Sequence, residues 1–179
     1  MKKLICFVLV FVVLACFAAC GSTEAGGSGN SNGTSSAQNS AAPVAATDGY
    51  VFTYNGTDIA MHAEAADIIA ALGEPKTYTE EASCAFTGLD KTYFYGSFYV
   101  QTYPIGDKDY IFGVWFADDS VSTQEGVYVG MSQSEVEAKY GTEGFNGSNE
   151  YLMTKGESTL RIILKDGVVF SIQYDAVVE

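Results

Sequence analysis

From residue 98 onward, hydrophobic and polar positions alternate along much of the chain. In the stretch from Thr159 to Lys165, Leu160, Ile162 and Leu164 fall on one side, and Thr159, Arg161 and Lys165 on the other. In "VVFSIQYD", Phe170, Ile172 and Tyr174 share a side, with Ser171, Gln173 and Asp175 opposite. A period of two is the signature of a strand with one buried face. The pattern therefore predicts strands here and in "YIFGVWF" from Tyr110, joined by turns at Gly88-Leu89-Asp90-Lys91, Gly106-Asp107 and Asp166-Gly167.

A second period appears when the chain is compared with itself. "IAMHAEAADIIAALGEP" from Ile59 and "VYVGMSQSEVEAKYGTE" from Val127 align without a gap at an offset of 68. Each reads as a short helix, with an acid in the first turn (Asp67, Glu135), an apolar i, i+4 pair, and a glycine (Gly73, Gly141) to stop it. "YIFGVWF" and "VVFSIQY" align at an offset of 58, as do Tyr93 and Tyr151. The first copy thus carries ten more residues, and they lie between Gly73 and Tyr93. The expectation is an α+β domain of two tandem units, about 50–122 and about 123–179, each a helix followed by three or more antiparallel strands.

"GMSQSEVEAKYG" followed by a strand meander ending "DGVVFSIQY" resembles the tandem helix-plus-antiparallel-sheet repeat of the β-lactamase inhibitor protein family and its small lipoprotein relatives. The resemblance covers nearly all of Tyr50 to Glu179. It implies one curved sheet built from both units, helices on one face, and an open face that grips a partner protein. "SCAFTGLDKTYFYGSFYVQTYP" is similar to a segment of exported lipoproteins from Gram-positive gut bacteria, which implies a compartment and no activity.

The alignment sorts the faces of the first unit. Phe112, Val114 and Phe116 become core with Phe170, Ile172 and Tyr174, so Trp115 takes the outward position of Gln173. Pairing Phe98, Val100 and Thr102 with Ser158, Leu160 and Ile162 leaves Tyr99, Gln101 and Tyr103 outward beside Trp115. The expected partner-binding face is Tyr99, Gln101, Tyr103, Trp115, Arg161 and Gln173, since large rigid aromatics bury much area at low entropic cost. Two alternatives stay open: a loop or the N-terminal segment covers these residues, or the register is off by one and every assignment swaps.

The N-terminus changes the picture by giving an address. Met1-Lys2-Lys3 precedes an apolar run from Leu4 to Ala19, short for a membrane-spanning helix and suited to a secretory signal. It ends in Phe17-Ala18-Ala19-Cys20-Gly21-Ser22, which resembles the lipobox of bacterial lipoproteins. The resemblance implies cleavage after residue 19 and a lipid on Cys20; Cys16, followed by Phe17, fits less well. The alternatives are an ordinary secreted protein and an uncut membrane anchor. Residues 20–48 are rich in Gly, Ser and Asn and read as a tether of roughly 30 Å to a globular domain over 49–179. The expected location is extracytoplasmic, at the outer face of the cell membrane.

Charge and candidate chemistry narrow the function. The formal charge is −13 and becomes −15 when Lys2 and Lys3 leave with the signal. That balance argues against nucleic acid or an anionic bilayer surface as the main partner and suits a basic partner or a neutral ligand. Cys84 would be the lone remaining thiol, expected to be buried as a small hydrophobe. His62 is the only histidine, aligned with Gly130 and expected to be a capping or surface imidazole. Asp118-Asp119 and Glu80-Glu81 are adjacent in sequence and make no carboxylate dyad on a strand, and Asp107, Asp109, Asp118 and Asp119 lack calcium-loop spacing. No metal site, no cofactor and no catalytic residues are expected. The function expected is a non-enzymatic protein- or ligand-binding module; the alternatives are a structural or assembly lipoprotein of the envelope and, third, an enzyme.

Overall fold

Two dipeptides set the geometry of the first and last hairpins. Asn55 and Gly56 both have positive φ, as do Asp166 and Gly167, which is the backbone of the tight turns whose twist matches that of paired strands. In a computed structural model that describes residues 48–178, Asn55-Gly56 joins β1 (Val51–Tyr54) to β2 (Thr57–Ala60). There follow α1 (Ala65–Leu72), β3 (Thr77–Ala82), β4 (Leu89–Phe94), β5 (Phe98–Ile105), β6 (Lys108–Phe116), α2 (Gln133–Tyr140), β7 (Glu150–Lys155), β8 (Ser158–Lys165) and β9 (Val168–Ala176).

β3 to β9 form one seven-stranded antiparallel sheet in the order β3-β4-β5-β6-β9-β8-β7. The two halves meet where β6 pairs with β9, over Gly113↔Asp175, Val114↔Tyr174 and Trp115↔Gln173. The β1–β2 hairpin is a separate two-stranded sheet. Its Phe52 ring lies 5.1 Å from Phe98, 5.0 Å from Phe116 and 6.1 Å from Tyr174. With Ile59 from the hairpin, Ala65 from α1 and Val136 from α2, it closes a core that also holds Phe98, Val100, Val114, Leu160, Ile162 and Ile172. Burying a side chain of this size contributes about 1.5–3 kcal/mol.

The expected class, α+β with tandem helix-plus-strand repeats and helices on one face, is overturned: the domain is predominantly β. The described residues hold nine strands and only two helices of eight residues each. Both helices end after about two turns, at Gly73 and Gly141. Segments that carry no apolar alternation are strands instead, including the fully exposed β3, and Leu89-Asp90-Lys91, expected as a turn, opens β4. The local correspondence at offsets 68 and 58 nonetheless has a counterpart in hydrogen bonds. His62 N–H donates to Ile111 O as Gly130 N–H donates to Val169 O, and Ile111 N–H donates to Ala63 O as Val169 N–H donates to Met131 O.

The core assignment needs one further correction. Phe112 and Phe170 were expected inside, yet Phe170 is 62% exposed and Phe112 only half-buried. The cause is a β-bulge in each hairpin: Gln101 pairs Gly113 but Thr102 pairs Ile111, and Ile163 pairs Ser171 but Leu164 pairs Val169. The extra residue leaves the ladder, so Ile111 and Val169 take the core positions.

Candidate binding face and the covered end of the sheet

Opposite the core, strand register sets four of the expected residues in one transverse row. Tyr99 on β5 pairs Trp115 on β6, Trp115 pairs Gln173 on β9, and Gln173 pairs Arg161 on β8. Phe94 extends the row on one side and Leu152 on the other. The Phe94 and Tyr99 rings stack at 4.4 Å. Tyr99, Trp115, Gln173 and Arg161 are all half-buried, which leaves part of each side chain open to solvent.

The adjacent row runs Gln101, Gly113, Asp175, Thr159. Gly113 has no substitute there, because a Cβ would lie 2.8 Å from the Tyr174 carbonyl oxygen. The notch it leaves lets the Trp115 indole N–H reach Asp175 Oδ1 at 3.4 Å. Burial pushes the Asp175 carboxyl above the usual carboxylate range, opposed by that hydrogen bond and by the positive charge of Arg161. Arg161 itself pairs with Glu150 at 3.3 Å, and its Nε has no hydrogen-bond partner among the described residues. Gln101 donates to Thr92 Oγ1 at 3.3 Å.

Tyr103 does not belong to this open surface. It is 3% exposed, its ring 4.8 Å from Phe86, and its hydroxyl 2.7 Å from His62 Nδ1. His62 Nε2 lies 3.1 Å from the Glu157 carbonyl oxygen. A carbonyl only accepts, so Nε2 carries a proton; in the neutral imidazole Nδ1 then accepts and the Tyr103 O–H donates. Burial pushes the Tyr103 hydroxyl up to about 12. His62, expected as a capping or surface imidazole, is instead buried with positive φ and ties β5 to the β7–β8 turn.

What covers Tyr103 is the loop of residues 83–88 between β3 and β4, which falls within the ten-residue surplus of the first half. That surplus was a visible signal for an added structure, although nothing in its composition says where it folds. Cys84 sits on this loop and is exposed, contrary to the buried position expected for it. Two of the acids weighed for calcium are locally satisfied: Asp109 pairs with Lys91 at 2.6 Å, and Ser120 hydrogen bonds hold Asp118 below the usual carboxylate range. Among the described residues no three metal-ligating side chains converge, and no helix is long and apolar enough to cross a membrane. Cys20 and the tether lie outside the described residues.

No family model and no curated protein matches the chain. Among solved structures, an extracellular protein containing an SCP domain from Bacillus anthracis matches with a TM-score of 0.38 at 13% identity, over 64% of this chain. The chain spans 43% of that protein's length. A likeness at this level carries no argument about fold or function.

Proposed function

We propose that the chain is a lipoprotein held at the outer face of the cell membrane through Cys20, and that its folded domain is a non-enzymatic binding module. The partner, a protein or a small ligand, sits on the sheet face opposite the core. The observation that supports this reading is the row Tyr99, Trp115, Gln173, Arg161, which crosses four strands with two large aromatics beside a guanidinium and an amide. Such a set offers both the apolar contact area and the directed polar groups typical of interface anchors. A strongly acidic chain favours a basic or neutral partner over an anionic one.

The single tryptophan lies in the row and reports on it directly. On an array of basic and neutral peptides, bound sequences should shift Trp115 fluorescence. The double variant Trp115→Ala with Tyr99→Ala should lose roughly 30-fold or more in affinity at an unchanged fold by circular dichroism. Undiminished binding by the double variant overturns the assignment of the face. The anchor is tested separately, since Cys20→Ala should abolish incorporation of labelled fatty acid.

A further inference from the structure

Beneath residues 83–88, at the end of the sheet where Tyr103 is covered, lies a concavity of about 200 Å³. Three aromatic rings line it: Phe86 from the loop, Tyr103 from β5 and the bulged Phe112 from β6. Phe86 and Tyr103 are 4.8 Å apart, and Phe112 stands edge-on to Tyr103 at 6.2 Å. The loop is braced rather than loosely laid over the sheet. Ser83 N–H donates to Gly88 O, the Ser83 hydroxyl oxygen accepts from Phe86 N–H at 3.2 Å, and a Cβ on Gly88 would meet Pro104 at 2.8 Å.

The charged part of the lining has one sign. Glu81 and Asp90 border the concavity, and no lysine or arginine does. A buried side-chain atom without a hydrogen-bond partner among the described residues, Asp90 Oδ1, belongs to a residue of this same lining. A buried acceptor left unsatisfied is costly and marks a place where a donor fits. An aromatic wall with a carboxylate at its side attracts an organic cation twice, through the ring faces and through the charge.

We propose that this concavity binds a small organic ammonium ion, its apolar body among Phe86, Tyr103 and Phe112 and its N–H directed at Asp90 Oδ1. The volume is below the usual range for drug-sized ligands, about 300–1,000 Å³, and so favours a compact amine. An anionic ligand meets Glu81 and Asp90, and a purely apolar one leaves Asp90 Oδ1 unsatisfied. The site goes beyond the partner-binding row, since neither Tyr99 nor Trp115 lines it.

Cys84 borders the concavity and is exposed, which supplies a readout independent of the row. Using the full chain, alkylation of Cys84 by iodoacetamide is followed by mass spectrometry of its peptide, at matched ionic strength, with 2-phenylethylammonium or the neutral 2-phenylethanol present. Calorimetry gives the two affinities. The ammonium should protect Cys84 and bind roughly tenfold more tightly than the alcohol. Asp90→Asn should narrow the difference between the two ligands, Phe112→Ala should weaken both, and Phe170→Ala should change neither. Equal protection by both ligands, protection by neither, or a preference undiminished by Asp90→Asn would overturn the proposal. The comparison on the unaltered chain decides the matter even where Asp90→Asn fails to fold.

Discussion

In the β5–β6 hairpin the residue squeezed out of the ladder is Phe112, and in the β8–β9 hairpin it is Phe170. Both are phenylalanines at the same place in an alternating strand, and neither is among the buried core residues. Their fates differ. Phe112 is half-buried against Tyr103 at the edge of a concavity, while Phe170 stays 62% exposed with Lys165 Nζ 5.5 Å from its ring. The bulge decides that an aromatic side chain changes face. The extra loop of the first half decides whether that side chain gains neighbours, and so turns a local irregularity into the wall of a site.

The largest effect should come from the brace that only the first half has. His62 joins Tyr103 to the Glu157 carbonyl, whereas its counterpart in the second half is Gly130, with no side chain to offer. His62→Ala leaves a buried hydroxyl and a carbonyl without their partners, and urea unfolding should show a loss of about 2–4 kcal/mol. A loss under about 0.5 kcal/mol would mean that the covered end does not depend on the brace.

The two bulged residues give the next test. Phe112→Ala should cost about 1–2 kcal/mol by the same measurement, since part of its ring is packed, and Phe170→Ala should stay within about 0.5 kcal/mol. Equal costs would show that the loop over Phe112 adds no packing energy and would remove the distinction between the two ends.

Which parts of this were legible in the sequence follows from the range of the interactions. The transverse row Tyr99, Trp115, Gln173, Arg161 follows from period-two alternation on both sides of the β6–β9 seam, where pairing is regular. The bulges lie beyond that regular stretch, and a one-residue insertion inside an alternating run leaves no mark in a sequence such as "YIFGVWF". Alternation puts Tyr103 on the right strand but on an open face, because the Phe86 ring that packs on it comes from residues 83–88, distant in the chain. The class was misjudged for a related reason. Two helix signals, each an acid in the first turn and a glycine stop, outweigh β1, β2 and β3, whose residues carry little alternation and become strands through pairing.

The smallest effect is expected at the seam between the halves, where Asp175 faces Gly113 and receives the Trp115 indole N–H. Its carboxyl is raised by burial, so the folded chain holds that proton more tightly than the unfolded chain, in which an aspartate titrates at about 3.9. As pH rises from there through the raised folded value, the native state gives up more protons to remain folded, and Asp175 makes a contribution that lowers stability. The penalty is complete above that window and absent below it. Asp175→Asn keeps an oxygen for the indole and removes the charge. Relative to the unaltered chain, its melting temperature should therefore gain with rising pH across the window and show no gain at pH 3. Glu135 and Asp118, held low by hydrogen bonds from Ser132 and Ser120, push stability the opposite way in both chains and cancel in the difference. A difference that shrinks as pH rises would mean that Arg161 and the indole outweigh burial at Asp175, and that the seam stabilises the charge it carries.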